Sequence, residues 1–201
     1  MQPVTIWVDP ACPWAWQTAR WLVDLGSRGL VDLRWKVFSL ELNAADDGVP
    51  PIESFPRQRG ALTSLLLARR ELGERGFRDL YLRIGAMLHE ARVEMSPEVL
   101  DRAGSEAGMP GIHDQAAADP DLLAQVVTEY EQARGLDVFG VPTIGIGDSK
   151  VMFGPIMSVA PTEDEALGMW EHVRWLVERP EVFELKRWPR DLRPGQGVDT
   201  A

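Results

Sequence analysis

The spacing of apolar residues changes period several times along this 201-residue chain. Val4-Thr5-Ile6-Trp7-Val8 reads as a strand. A helical pattern follows over about Pro13–Leu25, then a turn at Gly26 or Gly29, then a second strand over Val31–Leu40. Strand–helix–strand with so short a helix is a βαβ unit with parallel strands. The stretch from Asn43 to Pro56 is rich in Asp, Gly and Pro and reads as a loop, with Asp46-Asp47 as solvated charges. From about Arg57 to Gly135 the period is helical. Leu62, Leu65, Leu66 and Leu72 form one face, and Phe77, Leu80, Tyr81, Ile84 and Leu88 another. Ser96-Pro97-Glu98 and Asp119-Pro120-Asp121 are helix starts. The second start opens a helix with Leu123, Val126, Val127 and Tyr130 on one face, and Gly135 suits its C′ position. The β pattern returns in Val141–Ile146, with Gly147-Asp148-Ser149 as a turn and Lys150–Phe153 as the hairpin partner. Thr162-Glu163-Asp164-Glu165 is a capping box. It opens a helix carrying Ala166, Trp170, Val173 and Val177 on one face.

The order is βαβ, an all-helical block, then ββα. It predicts an α/β fold: a mixed sheet with flanking helices, interrupted by an inserted helical domain. Residues 1–55 and 136–187 form the sheet domain and 56–135 the insert. Residues 188–201 form a flexible Pro/Gly-rich tail.

Composition narrows the function classes. Lys+Arg 21 against Asp+Glu 31 gives a net charge of −10, without a basic run, so a nucleic-acid partner is not expected. No apolar run approaches the roughly 20 residues of a membrane helix, and Met1-Gln2-Pro3-Val4 lacks a secretory n- and h-region. The expected compartment is the cytoplasm, with no membrane partner. The chain is 45% hydrophobic, enough for a substantial core. The three histidines show no metal-ligand spacing, and no metal site is expected.

The chemistry concentrates on one residue. Cys12 is the only cysteine, so no internal disulfide can form. It stands where a strand feeds a helix, followed by Pro13, whose fixed φ suits the first helical position. A thiol there faces unpaired N–H groups and the positive end of the helix dipole, which favour the thiolate. The tryptophans, five of them in the first 35 residues, read first as an aromatic-rich core, and Trp14 and Trp16 also as walls of an apolar pocket beside it. Val141-Pro142 heads the hairpin strand, a position where proline is tolerated. A thiol at the start of the first helix and an X-Pro pair entering the hairpin strand, its peptide bond cis, together form the active site of a thioredoxin-type fold.

Five segments carry a wider resemblance: Asp9-Pro10-x-Cys12-Pro13-Trp14-x-Trp16, Thr18-x-Arg20-Trp21, Gly140-Val141-Pro142-Thr143-Ile144, Phe153-Gly154-Pro155 and Phe183-Glu184-Leu185-Lys186-Arg187. They resemble the actinobacterial DsbA-like thiol oxidoreductases, most of all the mycothiol-dependent nitroreductases. The resemblance implies a thioredoxin domain with an inserted helical domain, and mycothiol as the reducing small thiol. It makes Cys12 the catalytic residue and Asp9, Pro10, Pro13, Trp14 and Ala15 its motif. Val141, Pro142 and Thr143 would hold the small thiol, and Trp16 and His89 would border a pocket for a small-molecule or disulfide substrate. A homodimer is plausible by analogy with related folds. The chain departs from the dithiol members at one place: their Cys-Pro-Trp-Cys is here Cys12-Pro13-Trp14-Ala15. Without a resolving thiol only a monothiol cycle remains.

Alternatives stay open on the residues alone. Ala15 could be an engineered trap substitution, Cys12 an inert buried residue, and His89 an ordinary polar residue on a helix face. The chain could be a kappa-class-like transferase or isomerase, in which the small thiol is itself the nucleophile. It could also be a ligand-binding relative that has lost catalysis.

Overall fold

A computed structural model describes residues 1–46, 55–147, 151–187 and 193–196. Four strands form one sheet in the order β2-β1-β3-β4. β1 (Gln2–Val8) and β2 (Val31–Val37) are parallel, joined by α1 (Pro13–Ser27). β3 (Thr143–Ile146) runs antiparallel to β1 with Ile6 opposite Ile144, and β4 (Met152–Phe153) pairs with β3. α7 (Glu163–Val177) packs against α1, where Trp21 Nε1 donates to the Ala166 carbonyl at 3.0 Å and the Trp21 and Trp170 rings meet at 6.2 Å. Between β2 and β3 lies the helical insertion: α2 (Leu40–Asp46), α3 (Phe55–Gly85), a π-helical turn (Ala86–Glu90), α4 (Pro97–Glu106), α5 (Ile112–Ala117) and α6 (Pro120–Arg134).

The insertion is tied to the sheet through its edge. β2 is an outer strand, and its free backbone groups would be open to pairing with another chain. Here helix side chains occupy them. Glu74 accepts from Trp35 N–H at 2.9 Å, Glu129 accepts from Val37 N–H at 3.2 Å, and Arg69 donates to the Trp35 carbonyl at 2.8 Å. Arg69 also pairs with Glu129, and Lys36 lies 3.7 Å from the same carboxylate. An aromatic seam continues inward, with Trp35 against Phe77 at 5.5 Å and against Tyr81 at 5.2 Å.

Several elements depart from the sequence reading. The second strand stops at Val37 rather than Leu40, because Ser39 starts a helix there: its Oγ accepts from Leu42 N–H and its carbonyl from Asn43 N–H. The predicted loop therefore begins with helix α2, and the rest of it through residue 54 lies outside the described residues, as do Asp47, Asp148-Ser149-Lys150 and most of the tail. Leu72 is exposed instead of lining the Leu62 face. The helix bends one residue later at Gly73 (φ 66°), which rotates the two halves out of phase. In α6 the buried stripe is Leu122, Val126, Glu129, Tyr130 and Ala133, so Leu123 faces out. Gly135 caps α6 in right-handed geometry, and the left-handed residue is Asp137 (φ 64°). Thr162 caps α7 without a side-chain hydrogen bond. Ser96 and Asp119 do cap α4 and α6, accepting from Val99 and Asp121 N–H.

Candidate active site

Cys12 is the N-cap of α1, with Pro13 at the first helical position. Its Sγ accepts from Ala15 N–H at 3.4 Å and lies 3.5 Å from the Val141 carbonyl, to which the thiol can donate. Residues 129 apart in sequence thus meet at one sulfur. The Val141–Pro142 peptide bond is cis. The strand-head segment is fixed from both sides. Gly154 N–H donates to the Pro142 carbonyl at 2.8 Å, and Thr143 Oγ1 donates to the Gly140 carbonyl at 2.7 Å. Gly154 has φ 100°, a conformation side chains disfavour, which explains glycine in Phe153-Gly154-Pro155. Thr18 Oγ1 donates to the Pro155 carbonyl at 2.7 Å, so the same loop braces α1 one and a half turns below the thiol.

Asp9 closes the other side of the loop. Fully buried, its Oδ1 accepts from Ala11 N–H at 2.9 Å and its Oδ2 from Leu40 N–H at 3.0 Å, linking the thiol loop to the start of α2. Burial pushes its carboxyl up from 3.8 to about 6; the two N–H donors pull it back, and the charge of Glu41 adds to the rise. His89, in the π-helical turn, sets its Nε2 2.8 Å from the Pro10 carbonyl, so a neutral ring donates there. Burial holds His89 below its ordinary value against the opposing pulls of that bond and Glu90. One turn beyond Cys12, Trp16 packs over Gly85, where any Cβ would fall inside the indole ring. Its ring lies 6.2 Å from His89 and 6.1 Å from Tyr81.

Two expectations change. The helix N-terminus does favour the thiolate, through the N–H groups of Ala15 and Trp14, but burial outweighs it and the Cys12 thiol is raised above its ordinary value. Asp9 adds to the rise. Trp16 is only 3% exposed and is a core residue of the α1–α3 seam rather than the wall of an open pocket, whereas Trp14 is half-buried. Thr143 is buried and its hydroxyl is engaged with Gly140. Tyr81, read from the sequence as a core position, is fully buried; burial raises its phenol well above the ordinary value, and the charges of Cys12 and Asp9 add to the rise. Nothing in its helical spacing distinguished it from Phe77 or Leu80. His113 and His172 are not in this group; His113 Nδ1 lies 3.3 Å from Asp114, and His172 is exposed.

The family model described as mycothiol-dependent nitroreductase Rv2466c matches residues 11–187. A protein of Mycobacterium tuberculosis, Rv2286c, is 28% identical over 190 residues, covering 93% of this chain and 82% of that one. The probable DsbA oxidoreductase SCO1869 of Streptomyces coelicolor superposes with a TM-score of 0.60, with 20% identity over 93% of this chain and 94% of its own. The cytosolic disulfide reductase DsbM of Pseudomonas aeruginosa gives 0.59 at 17% identity, over 86% of this chain and 99% of its own, and is also solved with GSH. At these identities the solved structures show a shared DsbA-like thioredoxin fold.

Proposed function

The chain belongs to the family of the mycothiol-dependent nitroreductase Rv2466c, and from that premise we propose that it is a monothiol oxidoreductase exchanging mycothiol through Cys12 in the cytoplasm. The observation that carries this reading is Cys12 at the cap of α1, between the Ala15 N–H and the Val141 carbonyl. In the first step the Cys12 thiolate attacks a disulfide RS–SR. A Cys12–SR bond forms and RS⁻ leaves with the electron pair of the broken bond. In the second, a mycothiol thiolate attacks the outer sulfur and Cys12 leaves as the thiolate. The thiol-holding role assigned to Val141, Pro142 and Thr143 falls chiefly to the Val141 backbone beside the sulfur, since the Pro142 carbonyl and the Thr143 hydroxyl are engaged with Gly154 and Gly140.

Incubation with mycothiol disulfide, read by intact mass, should add one mycothiol to the protein and none to Cys12→Ser. An unmodified wild-type protein, or turnover that survives Cys12→Ser, would sink the reading.

One observation favours a second reading, a transferase in which bound mycothiol is the nucleophile. Burial raises the Cys12 thiol, which leaves it a weaker nucleophile at neutral pH. In that case Cys12→Ser still conjugates mycothiol to an electrophile as a thioether.

A further inference from the structure

Phe183-Glu184-Leu185-Lys186-Arg187 follows α7, and none of the contacts at Cys12 draws on it. Val182 N–H donates to the Arg179 carbonyl at 3.0 Å, and residues 182–187 then run on with neither helix nor turn and no residue at positive φ. Phe183 is 88% and Leu185 85% exposed, the two most exposed large apolar side chains among the described residues. Apolar residues scattered singly over a surface are ordinary, whereas two on one strip mark a contact. Lys186 Nζ lies 3.5 Å from Glu184 Oε1, so these two share one side of the segment. Phe183, Leu185 and Arg187 then alternate to the other side, as along a strand. No backbone group of residues 183–187 is hydrogen-bonded to another described residue. Such a row of open N–H and C=O groups is a template for a second strand.

We propose that residues 182–187 of two copies of this chain pair antiparallel about a two-fold axis at Leu185, forming a dimer contact. The charge pattern selects both the partner and the register. With Leu185 facing its own copy, Glu184 lies opposite Lys186 of the second copy, and Lys186 lies opposite that copy's Glu184. Both cross-strand charge pairs are attractive. Phe183 lies opposite Arg187 of the second copy, a cation beside an aromatic ring. Moving the axis back to Glu184 sets two carboxylates against each other, and moving it forward to Lys186 sets two ammonium groups against each other. The strip is therefore complementary to itself in one register, which is what an isologous two-fold contact requires. Two strips of this length bury less than the roughly 1,200 Å² of a standard stable interface. Each copy also carries a net charge of −10. The dimer is accordingly one that forms by mass action as concentration rises.

The test is sedimentation velocity across a concentration series, with thermal unfolding alongside to show that each variant folds. The wild type should pass from monomer to dimer. Glu184→Lys and Lys186→Glu should each weaken association about tenfold or more, because two attractive pairs become repulsive. An equimolar mixture of the two variants should recover wild-type association, since each supplies the charges that the other lacks. The register is read by cross-linking. Copper–phenanthroline should oxidise Leu185→Cys to a disulfide-linked dimer. Phe183→Cys should stay unlinked, because its two Cα atoms would lie about 14 Å apart, beyond the disulfide reach of about 7 Å. A wild type that sediments as a monomer at every concentration would overturn the proposal. So would a dimer that neither reversal weakens, one that the mixture does not restore, or equal cross-linking at the two positions. None of these readouts involves the Cys12 thiol, so failure of mixed-disulfide formation would remove the proposed function and leave the dimer contact standing.

Discussion

Asp9 offers the sharpest test of the site's electrostatics. Its carboxyl is raised from 3.8 to about 6 in the folded protein, chiefly by burial. The native state therefore binds this proton more tightly than the unfolded chain does. By linkage, Asp9's contribution is most favourable below about pH 4 and is lost as pH rises through about 6, the reverse of a salt-bridged carboxylate. A rise from 3.8 to about 6 corresponds to about 3 kcal/mol at 1.36 kcal/mol per pH unit. The perturbation is Asp9→Asn, which keeps the volume and removes the titration. It also replaces one acceptor oxygen by an NH2 that faces either the Ala11 or the Leu40 N–H, a penalty that does not vary with pH. The assay is urea unfolding followed by tryptophan fluorescence, which eight tryptophans make strong, at intervals from pH 4 to pH 8. Wild-type stability minus variant stability should fall by about 2.4 kcal/mol across that range, most of it between pH 4 and pH 6. A difference that stays flat with pH would refute the argument, and one that rises with pH would mean Asp9 is stabilised as an anion.

Removing Glu129 strips the acceptor from Val37 N–H and the partner from Arg69 together. Glu129→Ala should lower stability by about 3 kcal/mol and, by freeing the β2 edge, promote aggregation that light scattering detects. Gly85→Ala puts a methyl into the Trp16 ring, and the forced shift should cost about 1–3 kcal/mol in denaturant unfolding. His89 is held below 6.5 in the folded state, so its contribution is full above pH 6.5 and lost as pH falls through the lower folded value. Proton NMR should place its midpoint under 6.5, and a midpoint above that value would contradict the assigned environment.

What the sequence made legible was whatever rests on local geometry. The strand–helix junction at Cys12-Pro13, the caps at Ser96 and Asp119, and the α7 face from Ala166 to Val177 all follow from spacing and residue type, and the structure has them. The errors arose where tertiary contacts decide. Leu72 fits a helical face on paper, but Gly73 bends the axis. Ser39 reads as part of a strand until its hydroxyl and carbonyl start α2. At the site, the thiol and its Val141 partner were readable from motif and order. The sign of the thiol's shift was not, because it depends on how the burial of the sulfur balances against the helix N–H groups. Periodicity likewise marks Tyr81 as inward-facing without saying what its hydroxyl meets.

Two opposing effects, burial and the helix N–H groups, therefore set the protonation of the thiol. Burial withdraws water from Cys12, and the sulfur rests as a thiol against the Val141 carbonyl. Protonated sulfur is the less reactive form, which suits a site with no second cysteine to rescue an oxidised first one. The helical insertion brings His89 to the Pro10 carbonyl and Gly85 against Trp16, contacts that fix the loop carrying the sulfur. A helix N-terminus alone would give an activated thiolate at all times. Burial set against the helix N–H groups keeps the sulfur protonated at rest, so its reactivity depends on how far water is excluded from it.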